Sequence, residues 1–419
     1  MRTTIPNLTS KDLLKLQKFS NLDYTAEYEI ETIKGKHIQY GESRTSSIAN
    51  VIARAFSFNP DGTIYDYKEF QSKSFVSNFL GYLWEGITAG SINLTDVNNT
   101  SRNYNNTYAW IAGGSNYNGV GDYRGISLGT GSTPPSPLDY NLYGLITHGN
   151  NSGQLFYLDC IQSVGVSSNY PSTGSTGFTE QRVVINNTSS SITVNEMAII
   201  RYDYLAYNIM TLRDVIPGGL SIPGNGGTAL FQYTIYTSLD AIANMSVAIQ
   251  GFTTRYQSST LASFDNYGTW TNSTSALYKN TAGGASGYDG NPFGYNAATS
   301  AYGPVASSTS GIIFGTGSTT PLVTDYNLTS PIAQGTGTGQ LYYQVQTNTS
   351  PSVVGQVTSF QISRVAVNQN ASPITVTEEG LLVQSYPAYI THSLINGGTG
   401  YTLAQNNQLT GYYTFSTTT

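Results

Sequence analysis

Hydrophobic and polar residues alternate along much of this chain in short runs bounded by Gly, Pro, Asn and Ser. Six such runs stand out: Gln154–Val166, Arg182–Asn187, Ile192–Tyr204, Gln340–Gln346, Phe360–Gln369 and Ile374–Tyr386. Period-two spacing with turn signals every 8–12 residues predicts antiparallel strands of a sandwich or jelly roll. Asp23–Tyr40 alternates partially and reads as a strand, and Asp61–Tyr67 as a turn into another. Helical spacing is rarer. Its clearest case is Ser74–Ile87, where Val76, Phe79, Leu80, Leu83, Trp84 and Ile87 form a wide apolar stripe expected to pack on a sheet. Residues 10–19 read as a short helix capped by Ser10, and residues 43–57 as another, with Ile48, Val51, Ile52 and Ala55 at helical spacing. A weaker helical pattern covers 238–252. Between these lie Asn-, Tyr- and Gly-rich stretches at 97–123 and 258–310 that read as loops.

The pattern occurs twice. The 33 residues from Gly125 to Tyr157 align without a gap on Gly311 to Tyr343, an offset of 186, and 18 positions are identical. Arg182–Asn186 recurs as Arg364–Asn368 and Ile192–Glu196 as Ile374–Glu378, now at an offset of 182. This is a tandem duplication. The predicted fold is therefore mainly β: two tandem β-sandwich, jelly-roll-like domains over 75–238 and 239–419, each with a leading helix. Residues 1–74 share no repeat and read as a mixed α/β N-terminal arm or added layer.

Charge changes the picture next. Only 10% of the residues are charged, where about 25% is usual. Ser, Thr, Asn, 44 Gly and 33 Tyr fill the difference, and the net charge is −6. That surface suits packing against other proteins or an exterior medium, and without a basic cluster it argues against nucleic-acid binding. The single cysteine, Cys160, excludes an internal disulfide framework and reads as a small apolar filler. The N-terminus lacks the apolar core of a signal peptide, and no apolar run is long enough to span a membrane. A body suited to the exterior with no visible export signal fits a particle assembled inside a cell and released from it.

Candidate chemistry is sparse. In the repeated GTGST, the glycines read as freedom for a tight turn, with Thr bonding back to the backbone. The turn leads to prolines rather than to a helix N-terminus, so a nucleotide loop is disfavoured. Asp139 and Asp325 read as turn caps; a calcium role would need neighbouring carboxylates. Glu196 and Glu378 are equivalent across the copies but show no local acid pair. His37, His148 and His392 are scattered, with Gln334 at the place of His148 in the second copy. No catalytic, cofactor-binding or metal-ligating residues are assigned. Trp110, Trp270, Tyr104 and Tyr108 form the candidate interface or glycan platform, since aromatic rings beside amides suit sugars and protein partners alike.

An apolar helix is followed by a GTGxTP turn, a DYxL segment, GQLxY, an Arg-bearing strand, ITVNE and a Tyr-rich closing strand. In that order they resemble a module of tailed-phage and related viral structural proteins. The resemblance covers about 125–237 well and 311–417 nearly as well, and it does not reach 1–74. It implies a β-sandwich in a head- or tail-associated component and brings no catalytic residues with it. The expected function is thus a non-enzymatic part of a virion, such as a decoration, spike, fibre-base or tail protein. It would be assembled in the host cytoplasm as a homo-oligomer among other virion proteins, without cofactor, nucleic acid or membrane insertion. The alternative is a glycan-binding adhesin that uses its Tyr/Asn-rich loops on a host surface. A secreted filament subunit or hydrolase ranks third, weakened by the missing export signal and acid pair.

Overall fold

The computed structural model describes residues 22–31, 38–72, 74–88, 90–104, 121–165, 176–202, 207–237, 305–321, 327–383 and 388–419. Among the described residues the chain is mainly β, with 56% in strands of several sheets. The N-terminal strands are β1 (Leu22–Glu31), β2 (Ile38–Phe58) and β3 (Ile64–Ser72), followed by helix α1 (Ser77–Thr88) and a hairpin of β4 (Ile92–Thr95) and β5 (Ser101–Tyr104). The first copy holds β6 (Gly125–Gly129), β7 (Phe156–Gly165), β8 (Thr176–Asn186), β9 (Ile192–Tyr202), β10 (Asn208–Ile222) and β11 (Gly227–Thr237). The second opens with β12 (Gly311–Gly315), the short β13 (Tyr342–Tyr343), β14 (Thr347–Asn348) and β15 (Ser352–Val354), then β16 (Val357–Val367) and β17 (Ile374–Val376). It closes with β18 (Glu378–Val383), β19 (Ala388–Leu394), β20 (Tyr401–Leu403) and β21 (Gln408–Thr418).

The duplication is visible in the register. In the first copy Gly125 to Gly129 pair with Ile200 to Glu196, and in the second Gly311 to Gly315 pair with Leu382 to Glu378. Arg182 lies opposite Phe231, and Arg364 opposite Gly411. The GTGST turns therefore sit in equivalent places. Strand alternation follows the sequence: along β16 and β21 every second residue is buried, as a sheet with one face on the core requires. Both β6 and β12 are buried at every position, as strands covered on both faces are.

One sheet joins the two copies. Its order is β13-β16-β21-β1-β2-β11-β8-β7, with β3 on β2 and β14 and β15 on β16. The order is palindromic: each half lists a copy's strands from edge to centre. The first 74 residues read as an arm, but their described strands form the middle of this sheet. Leu22 to Glu31 pair with Thr417 to Gln408, and Ala49 to Phe58 pair with Thr237 to Thr228. Each strand of the N-terminal hairpin thus flanks one copy in the same register. Ala26 and Ala53 occupy matching positions and face Tyr413 and Tyr233, with all four side chains buried. A small residue beside a large one fills the layer without strain.

Residues 43–57, whose spacing suggests a helix, lie in β2. The period that matters there is two, since Val51, Ala53 and Ala55 are buried in turn. From Ala49 to Phe58 β2 also has a partner on each edge, β11 on one and β1 then β3 on the other, so the backbone bonds there are satisfied as a strand. Helix α1 is found where its stripe predicts, but it is buried nearly all round: Phe79, Leu80, Tyr82 and Leu83 are each 0% exposed. It packs on β4 and β10 and also reaches β16 and β21 of the second copy. Asn78 pins it, donating to the carbonyls of Thr95 and Met210 and accepting from the Thr95 amide. The expected helices at 10–19 and 238–252 lie outside the described residues. So does most of the 258–310 loop, while the 97–123 stretch includes strand β5.

Candidate functional site

The repeated residues converge on two buried clasps per copy. The first is built on arginine. Arg182 donates to the carbonyls of Leu158, Arg124, Ile126 and Gly121 at 2.5–2.9 Å. Arg364 donates to those of Gln344, Ser310, Ile312 and Ser307 at 2.6–3.1 Å. Each acceptor lies 186 positions beyond its counterpart. The guanidinium rests 4.6 Å from the ring centre of Tyr157 in one copy and 4.9 Å from that of Tyr343 in the other. Burial lowers the pKa of both, that of Arg364 to about 10. The planar fork matches four carbonyls that a point-charge lysine would not hold together.

The second clasp is built on glutamate. Glu196 Oε1 accepts from the amides of Gly131 at 3.1 Å and Gly144 at 2.8 Å. Glu378 Oε1 accepts from Gly317 at 3.0 Å and Ser330 at 2.7 Å, the matching positions. Each carboxylate thereby staples its GTGST turn to the end of the DYNL loop. This gives the glycines of the motif a reason other than turn freedom. A Cβ on Gly129 or Gly315 would lie 2.4 or 2.3 Å from the carboxylate oxygen, and one on Gly131 or Gly317 2.5 or 2.6 Å from it. The carboxylate needs that space.

Smaller matches extend the pattern. Asn186 donates to Ser190 and Ile222 carbonyls, and Asn368 to those of Ser372 and Leu403. Tyr157 bonds the Ile146 carbonyl and Tyr343 that of Ile332. The amide of Tyr157 donates to His148 Nδ1, and that of Tyr343 to Gln334 Oε1. His148 is therefore a backbone acceptor that an amide replaces.

The side chain on the second oxygen of the glutamate differs between copies. In the first, Arg213 Nε donates to Glu196 Oε2 and its NH1 to Asp139 Oδ2, both at 2.8 Å, with all three side chains buried. In the second, His392 Nε2 lies 3.0 Å from Glu378 Oε2. The register makes the two positions equivalent, because Arg213 faces Ala198 and His392 faces Gly380. Burial acts to raise the Glu378 pKa. Hydrogen bonds from His392, Ser330, Thr329 and Gly317 outweigh it, and the carboxyl is held below its ordinary range.

Of the sequence-derived candidates, Asp139 caps its turn as expected, accepting from the Ser136 amide, and its other partners are Arg213 and Tyr143. Asp325 lies outside the described residues, as do Trp110, Trp270 and Tyr108. Tyr104 is described and is core: it is 1% exposed, with its ring edge-on to Tyr82 at 4.9 Å. A platform for a surface ligand would need that ring outside. Cys160 packs against the core with Sγ 3.2 Å from Glu180 Oε1, and burial first, then the Glu180 charge, raise its pKa, so it stays a thiol. Among the described residues no three His, Cys, Asp or Glu side chains are grouped to hold a metal ion. Sequence reading marked Arg182 and Arg364 as part of a repeated strand and His392 as a scattered histidine, gave none of them a role, and did not single out Arg213. The first two carried a signal, a charged residue repeated mid-strand between apolar neighbours. No protein family, curated protein or solved structure matches the chain.

Proposed function

We propose that this chain is a non-enzymatic structural component of a virus particle, acting through assembly contacts. In this reading it is two tandem jelly-roll-like β-sandwich modules with leading helices, fused through the N-terminal hairpin. One observation carries the proposal: the polar residues that the copies share are committed to holding backbone. Arg182 and Arg364 each hold four carbonyls, and Glu196 and Glu378 each clamp a turn. A duplication that preserves such groups preserves a shape. The low charge supports assembly, since a surface with few charges costs less to desolvate against partners.

The partners proposed are further copies of the chain and other virion proteins, met inside the host and carried outside on release. The test is to separate particles on a density gradient, probe the fractions for this chain, and assay the purified protein on a glycan array. Co-migration with particles and no selective glycan binding support the assembly role. Selective glycan binding by protein that does not co-migrate makes it an adhesin instead.

A further inference from the structure

The outward face of the large sheet differs between its two halves. In the first copy a row of residues runs Ile64, Phe58, Thr228, Ile185 and Phe156 across β3, β2, β11, β8 and β7, each directly opposite the next. Beside it a second row runs Tyr67, Phe56, Leu230 and Val183, with Leu158 in the β7 bulge at its end. Ser57, Ala229 and Val184 alternate with them and are buried, so both rows lie on the face away from the core. Ile64, Tyr67 and Leu158 are 66%, 45% and 37% exposed, and the others are half-buried. In the second copy Glu31 and Glu29 hold the places of Phe58 and Phe56, and Gln408 and Thr410 those of Thr228 and Leu230. The duplication thus supplies its own control: on one scaffold, only the first half presents a continuous apolar patch to water.

We infer that two copies of the chain pair through this face, about a two-fold axis that runs parallel to the strands along β11. The inference deepens the assembly role proposed above, and it rests on that reading for the use of the pair in a particle. Such an axis lays β2 of one copy over β8 of the other. Phe58 and Phe56 then meet Ile185 and Val183, aromatic rings against β-branched side chains, while Ile64 meets Phe156 and Thr228 meets itself. Two sheets stacked face to face pack in this way. Charge selects the axis. It carries Glu29 and Glu31 of the two copies to opposite sides, each in water, whereas an axis across the strands would stack the acidic rows on one another. Sliding the apolar half onto the acidic half of a neighbour would bury unpaired carboxylates. The sheet edges are poor alternatives: β13 and β14 are two residues long, β15 is three, and β7 carries a bulge with Asp159 exposed. The two rows cover about 24 by 14 Å, roughly 300 Å². A standard interface buries about 800 Å² per partner, so the pair is weak and reversible.

The test is sedimentation equilibrium of the full chain over about 1–100 µM, where a reversible rise to the mass of two chains is expected. Tyr67→Glu and Leu158→Glu alter exposed side chains and should each weaken pairing roughly tenfold or more, by placing a carboxylate in an apolar contact. Val354→Glu, at a position 77% exposed on β15 and outside the face, should change it by less than about twofold. A short bifunctional thiol reagent should join chains carrying Thr228→Cys, and should leave Gln408→Cys at the level of the unaltered chain with its Cys160. These measurements use purified chain and no particles, so they can fail while co-migration with particles holds, and the reverse. A chain that stays monomeric overturns the pairing. So does a pair that survives Tyr67→Glu and Leu158→Glu, or one that links through Gln408→Cys as readily as through Thr228→Cys. A monomer whose Tyr67→Glu variant no longer co-migrates with particles overturns it too, and assigns the face to another virion protein.

Discussion

Glu85 sets up a direct test of how burial shapes the pH response of this fold. It lies in α1, 1% exposed, and its Oε2 has no hydrogen bond among the described residues. Burial pushes its carboxyl up to about 9, against the opposing charge of Arg201. An unfolded glutamate titrates near ~4.3. Below that value both states are protonated and the group is silent. Above it the unfolded chain ionises while the folded chain does not, so the fold loses about 1.4 kcal/mol per pH unit. At pH 7 the loss is about 4 kcal/mol, growing until the folded group also ionises. Glu85→Gln removes the ionisation and keeps the shape, at a cost of about 1–3 kcal/mol if the buried amide stays unpaired. The variant should be no more stable than the parent near pH 4 and more stable by about 2–4 kcal/mol near pH 8. Urea midpoints for both proteins across this range measure it. A difference between the proteins that stays constant with pH refutes the assignment of a buried neutral carboxyl.

Three further outcomes follow from the clasps. Gly317→Ala drives a methyl to 2.6 Å from Glu378 Oε1 and should cost about 2–4 kcal/mol by displacing the carboxylate from its amides, read as a lowered denaturation midpoint. His148→Gln should change stability by less than about 0.5 kcal/mol, because Gln334 accepts the same amide in the second copy; a large loss would mean that His148 does something Gln334 does not. Glu378→Gln should destabilise by about 3–5 kcal/mol at neutral pH, as a broken buried pair does. The depressed folded pKa of Glu378 makes its contribution full above the unfolded value and lost on acidification, so the gap should close toward about pH 3 in thermal melts.

These elements also show what a sequence can carry. The duplication was legible because identical residues marked the turns, and α1 because its stripe follows helical spacing. Residues 43–57 misled, since Val51, Ile52 and Ala55 fit helical spacing while Val51, Ala53 and Ala55 fit a strand. Only the pairing of β2 with three other strands decides between them. The central place of the N-terminal hairpin was invisible for the same reason: Ala26 and Ala53 match through register and not through similar sequence. The GTGST glycines were visible as a motif, but their cause was not, because the carboxylate they admit arrives from 65 residues away in the first copy and 61 in the second. Arg213 and His392 differ in type, yet each stands five residues before a glycine pair that the copies share, Gly218-Gly219 and Gly397-Gly398, and the ladders β9–β10 and β18–β19 give them the same place.

The proposal that this chain is an architectural part of a particle is tested most directly by its absolute copy number. Purified particles would be digested and the chain quantified against isotope-labelled peptides, alongside a major coat protein. An assembly component should be present in a fixed whole-number ratio to that protein, unchanged between preparations and after a high-salt wash. A chain that is absent, or whose ratio drifts and falls with washing, would contradict the account.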